Sequence, residues 1–177
     1  MIIVCLAPGF EEIEALTPVD VLRRAGLDVK TVAIGTDTKS VSGSHGITVV
    51  ADITERELSA RSDFPACVEH IILPGGMPGS LNLDASPFVD KMLPLVKESG
   101  GHIAAICAAP LVLGRRGFLK EKKATCFPGF EQELVGATVT GEICVTDGNI
   151  TTANGMEAAL PFAKRLADIL VEIEEKQ

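Results

Sequence analysis

The chain has 177 residues, 46% hydrophobic and 23% charged, a length and balance that fit one globular domain over 1–177 and exclude an intrinsically disordered chain. Its net charge of −8 comes with no basic block, and with neither Trp nor Tyr and only 7 Phe it offers few stacking platforms, so nucleic acid is not expected as a partner. The longest run without a charged or strongly polar residue, 103–113, is broken by Pro110 and falls well short of the roughly 20 apolar residues of a membrane-spanning helix, so a soluble protein away from the membrane is expected.

Ile2–Leu6 reads as a first strand. No basic stretch precedes it and no processing site follows, so it is not read as a signal peptide, and a cytoplasmic location is expected. From there short apolar runs alternate with amphipathic stretches, which predicts βα units and a mostly parallel sheet. A helix over 11–25 stops at Gly26 and a strand follows over 29–34. A hairpin over 40–50 carries Gly43 and Gly46, and a short helix spans 54–61. The strand 70–73 empties into Pro74-Gly75-Gly76, and Ser86-Pro87 opens a helix that ends at Gly100-Gly101. A strand over 102–106, a helix over 108–116 and an extended segment over 123–127 come next. A hairpin over 142–153 turns at Asp147-Gly148. The final helix, 154–175, carries Leu160, Ala163, Leu166, Ala167, Leu170 and Ile173 as a stripe facing the core.

Five cysteines, at 5, 67, 107, 126 and 144, are an odd number with no C-x-x-C pair, so neither a disulfide framework nor a zinc site is expected. Cys107 differs from the rest. In Ala104-Ala105-Ile106-Cys107-Ala108-Ala109-Pro110 it stands where a buried strand turns abruptly into a helix, flanked by small residues as in a nucleophile elbow. A helix N-terminus would also pull the thiol below its usual value of about 8.5. The same segment is also good buried-strand filler.

Two other segments converge on that edge of the sheet. Gly75-Gly76 can leave backbone N–H groups exposed to hold an oxyanion. Glu11 and Glu12 read as surface acids complementing a helix dipole, whereas Glu14 lies three residues from Glu11 on a helix whose Ile13, Leu16 and Val19 are expected to pack inward.

Ala-Pro-Gly-Phe-Glu-Glu-Ile-Glu, Pro-Val-Asp-Val-Leu-Arg-Arg-Ala-Gly, Leu-Pro-Gly-Gly and Ala-Ala-Ile-Cys-Ala-Ala-Pro, in that order over residues 2 to about 170, resemble the ThiJ/PfpI family, in the branch of the Parkinson-disease-linked protein deglycase and its bacterial relatives. The resemblance implies a flavodoxin-like three-layer α/β sandwich of the class I glutamine amidotransferase-like kind and a homodimer. It makes Cys107 the oxidisable nucleophile and Glu14 the acid on its sulfur, protonated because two adjacent charges at low dielectric are costly, and lowering the thiol's pKa. The amides of Gly76 and Ala108 become an oxyanion pocket with Gly75 beside it.

Departures from the family pattern matter. Ala108 stands where the protease-like branch has His, and Phe127 where many relatives carry a second His near the cysteine. His70 and His102 begin strands and lie at the wrong sheet edge, His102 about 16 Å from Cys107. His45, in the first hairpin where relatives often have Arg, is left to reach the pocket or a partner chain, and no conventional Cys-His dyad is visible. Cys126 is read either as a resolving thiol or as core; no metal or cofactor is expected.

Two functions follow. One is a glutathione-independent glyoxalase or deglycase, in which Cys107 adds to small α-oxoaldehydes or acts on their protein adducts in a small Ala-lined pocket, with Glu14 moving the proton. The other is a redox sensor or chaperone that responds to oxidation of Cys107 without turnover. A thiamine-pathway role is disfavoured by the lack of a phosphate-binding G-x-x-x-x-G-K-[ST] loop.

Overall fold

Strand residues alternate between two cores, and this alternation builds the molecule. A computed structural model describes residues 1–176. Among these, β1 (Ile2–Leu6), β2 (Val29–Ala33), β5 (Ile53–Thr54), β6 (His70–Leu73), β7 (Ile103–Ile106), β10 (Cys144–Asp147) and β11 (Ile150–Ala153) form a seven-stranded sheet in the order β10-β11-β7-β6-β1-β2-β5. All neighbours pair parallel except β10 with β11. A separate antiparallel hairpin joins β3 (Ser40–Ser42) to β4 (Thr48–Val50), and β8 (Lys123–Ala124) pairs with β9 (Thr138–Val139).

Ile3 and Cys5 of β1, Ile71 and Leu73 of β6, and Ile103 and Ala105 of β7 face a core shared with α2 (Glu55–Ser59), α3 (Gly79–Asp84), α4 (Pro87–Glu98) and α5 (Pro110–Arg115). Their neighbours Val4, Leu6, Ile72, Ala104 and Ile106 face a second core with α1 (Glu12–Arg24) and α6 (Ala159–Glu174). The result is a three-layer sandwich. Five of its six parallel strands, β2-β1-β6-β7-β11, have the flavodoxin order, and the topological switch lies between β1 and β6.

Several expectations need correction. β5, α3 and β9 were not anticipated. The helix after Cys107 starts at Pro110 rather than Ala108, because three turn residues are needed to bring the chain out of the elbow. Only Lys123–Ala124 of 123–127 is paired, and α6 begins at Ala159, after a 3-10 turn over Met156–Ala158. Leu160 is exposed; the buried stripe of α6 is Ala159, Phe162, Ala163, Leu166 and Leu170. On α1, Ile13 faces solvent and Glu12 is buried, the reverse of the expected sides.

Candidate active site

The carboxyl ends of β1, β6 and β7 each deliver one component of the site. Beyond β7, Cys107 takes φ 65°, a left-handed backbone that costs a non-glycine residue about 1–3 kcal/mol. The neighbours clamp it there: its N–H donates to the Ala153 carbonyl and its carbonyl accepts from the Phe127 N–H, both at 2.8 Å. This is the geometry of a nucleophile elbow, and it turns the half-buried sulfur away from the strand toward the α1 and α6 side.

Beyond β1, Glu11 caps α1, its carboxylate accepting from the Glu14 N–H at 2.7 Å. The turn so formed sends the Glu14 side chain, 1% exposed, inward against Cys107. Beyond β6, the Gly75 N–H donates to Glu14 Oε2 at 3.1 Å. A Cβ on Gly75 would lie 2.3 Å from Glu14 Oε2 and 2.5 Å from Cys107 Cβ, so only glycine lets acid and thiol meet. Gly76, at φ 93°, is equally constrained: a Cβ would lie 2.4 Å from the Glu11 nitrogen. Its N–H and that of Ala108 face the Cys107 sulfur and favour its charged form. Cys107, Glu14, Gly75, Gly76 and Ala108 thus converge.

The expected lowering of the thiol pKa does not occur. Burial, then the facing Glu14 charge, push Cys107 up to about 12 against the Gly76 and Ala108 N–H groups. Helix α5, six residues long and starting beyond the elbow, contributes little dipole at the sulfur. Burial lifts Glu14 to about 7, so both its acid and its base forms are populated near neutrality. Once Glu14 ionises the pair carries one negative charge, held on the carboxylate, and a thiolate forms when the thiol proton passes to Glu14.

A cavity of about 540 Å³ opens over the pair. It is lined by Glu11, Glu12, Ile13, Glu14, His45, Ile47, Cys107, Phe127 and Met156, so its mouth is made of large apolar side chains rather than the expected alanines. Gly155 packs beside these residues, where a Cβ would lie 3.2 Å from the Phe127 ring and 3.9 Å from Glu14 Oε1. Cys126 lies outside this cavity, in the opposite core beside α5, where burial raises it to about 11. Cys5 is also core, and all five thiols are free. His70 and His102 are buried at the far edge, the His102 N–H donating to His70 Nδ1 at 2.9 Å.

Glu12 is the residue whose role its sequence position hid. Its carboxylate, 4% exposed, is wrapped by the turn of the β3–β4 hairpin: Oε1 accepts from the N–H groups of His45 (2.7 Å) and Ile47 (3.4 Å), and Oε2 meets His45 Nδ1 at 2.8 Å and Ser44 Oγ at 3.4 Å. Burial would raise its pKa, but the hydrogen bonds from the His45 ring and backbone and from Ile47 hold it at about 2. Glycine at 43 is the one available signal, because a Cβ there would lie 2.4 Å from Glu12 Oε1. Glu11, Glu12 and His45 place ligand atoms within 4.8 Å of one another. Each Glu12 oxygen already takes two donors, so the trio is an anchor for the hairpin rather than an open coordination site.

A flavodoxin-order sheet with a cysteine elbow at its carboxyl edge, an acid on the sulfur and two amides beside it defines a class of reactive-cysteine α/β proteins. Residues 1–169 match the model of the DJ-1/PfpI family, and the chain belongs to that family. It is 36% identical over 177 residues to Protein dj-1beta of Drosophila melanogaster, covering 99% of this chain and 91% of that one. To the glutathione-independent glyoxalase DJR-1.2 of Caenorhabditis elegans it is 31% identical over 162 residues, 90% and 82% of the two chains. Among solved structures, oxidised Toxoplasma gondii DJ-1 superposes with a TM-score of 0.87 at 34% identity, covering 96% of this chain and 89% of that one. No helix among the described residues is long and apolar enough to cross a membrane.

Proposed function

We propose that the protein is a glutathione-independent glyoxalase or deglycase for small α-oxoaldehydes or their protein adducts. The observation that carries this reading is the contact of Cys107 with Glu14 beneath the Gly76 and Ala108 amides. Glu14 takes the thiol proton as the sulfur adds to the aldehyde carbon, and the two amides hold the oxygen on which charge develops. Glu14 hands that proton to the oxygen, completing the thiohemiacetal, and as the base so regenerated it takes the carbon-bound proton and returns it at the neighbouring carbonyl carbon, while the hydroxyl proton passes to the neighbouring oxygen. The first carbon is oxidised and the second reduced, so no external oxidant is needed. The resulting 2-hydroxyacyl thioester is hydrolysed to the 2-hydroxy acid.

Methylglyoxal supplied without glutathione should yield lactate with the wild type and none with Cys107→Ser. Equal inactivity of the two, or equal activity, would sink the reading. A second reading, a redox sensor or chaperone, is favoured by the oxidised state named for the Toxoplasma relative. It predicts that peroxide adds two oxygens at Cys107 before any other cysteine, as intact mass and peptide mapping would register.

A further inference from the structure

We infer that His45 is the residue that activates water for thioester hydrolysis, with Glu12 as the positioning residue that orients its ring; this rests on the α-oxoaldehyde reading of the Cys107 site. The last step of that chemistry needs a base that can reach water. Glu14 lines the cavity but is 1% exposed and engaged with the thiol, and Ala108 and Phe127, beside Cys107, have no side-chain proton to exchange. His45 lines the same cavity and its side chain is 69% exposed. It is the one histidine on that cavity.

Its geometry suits the task. The buried Glu12 carboxylate faces Nδ1 at 2.8 Å, which makes Nδ1 the protonated nitrogen and leaves the Nε2 lone pair free as the acceptor. The His45 backbone N–H binds the same carboxylate at 2.7 Å, so ring and main chain are tied to one anchor. The charged groups facing the ring are Glu12 and Glu11, the latter at 3.9 Å, with the Ser44 hydroxyl at 3.2 Å. Both acids stabilise the imidazolium that forms when Nε2 takes a proton. No hydrogen bond joins His45 to Cys107 among the described residues, which leaves the substrate and a water to stand between them.

In the step itself, a water O–H bond breaks and its proton passes to Nε2 as the oxygen bonds to the thioester carbonyl carbon. The carbon–sulfur bond breaks and its electron pair returns to the Cys107 sulfur under the Gly76 and Ala108 amides. The acid released gives its proton to that sulfur and leaves as the carboxylate, and His45 discharges to solvent. Glu12 remains ionised throughout.

The test is steady-state turnover of methylglyoxal by wild type, Cys107→Ser, His45→Ala, His45→Gln and Glu12→Gln, with hydroxylamine used to trap acyl-enzyme. His45→Ala and His45→Gln should lower kcat by about 100-fold or more and lower KM with it, leaving kcat/KM nearly unchanged. Both should accumulate a hydroxylamine-sensitive adduct on Cys107, and added imidazole should restore turnover to His45→Ala. Glu12→Gln should lower kcat less and displace the acidic limb of the pH profile. Wild-type kcat in both His45 variants, or loss of activity that imidazole does not rescue and with no trapped adduct, would overturn the inference while leaving the Cys107 reading intact. Absence of lactate from wild type would overturn both.

Discussion

Gly75 shows how little room the chemistry leaves. With 2.3 Å and 2.5 Å between its missing Cβ and the atoms of Glu14 and Cys107, Gly75→Ala must push acid and thiol apart. Overpacking of this kind costs about 1–3 kcal/mol. We expect that drop in stability by urea denaturation, together with loss of most lactate-forming activity; wild-type turnover would show that the contact is dispensable. Glu14→Gln removes the charge that helps raise the thiol, so the Cys107 titration should move down from about 12 even as activity falls. Thiolate absorbance against pH measures this, and an unmoved curve would mean that Glu14 does not act on the sulfur. Cys107 and Gly75-Gly76 were legible because each stands at a strand-to-turn motif whose logic is local, whereas the role of Glu14 came from the family resemblance, the inward packing of Ile13 beside it having failed. Glu12 was not, because its partner His45 lies 33 residues away and nothing within the first turn of α1 distinguishes a solvated acid from one capped by a distant hairpin.

At the scale of elements, α1 and α6 cover the face of the sheet onto which Cys107 opens, and Phe162 of α6 is wholly buried there. Phe162→Ala should cost about 3–5 kcal/mol, read as a lowered thermal midpoint; a change below 1 kcal/mol would mean that this face collapses around the gap. The long elements could be read from period alone, since 13 residues of α1 and 16 of α6 repeat their apolar positions several times. β5 and β9 have two residues each and α3 has six, too few for a period to declare itself. The 3-10 turn before α6 escaped for a related reason: Asn154-Gly155 has the composition of a cap, yet Gly155 adopts φ 150° and the regular helix waits four residues more.

Across the whole molecule the two edges of the sheet titrate against each other. At the amino edge, burial and then the His70 charge lower His102 to about 4; at the carboxyl edge, burial raises Glu14 to about 7. Between pH 4.5 and 6.5 the unfolded chain binds a proton that folded His102 refuses, so this group makes stability fall as pH falls. In the same window folded Glu14 holds a proton that the unfolded chain releases, so it makes stability fall as pH rises. The contributions oppose. Glu14→Gln should unmask the histidine term, so that stability relative to wild type climbs with pH by up to about 1.4 kcal/mol per unit. Urea midpoints at pH 4.5, 5.5 and 6.5 test this, and parallel wild-type and variant curves would refute it.

By itself the sequence determined the alternation of strands and helices, the mostly parallel sheet and the address of one cysteine among five, the flavodoxin-like layering being implied by the family resemblance. These depend on local period, on turn residues and on the small side chains a tight elbow needs. Tertiary structure alone decided the proton affinity of that cysteine, the burial of Glu12 and the lining of the cavity. Each of these depends on desolvation and on charges or side chains brought in from other strands and loops, and that proximity has no trace in neighbouring residues.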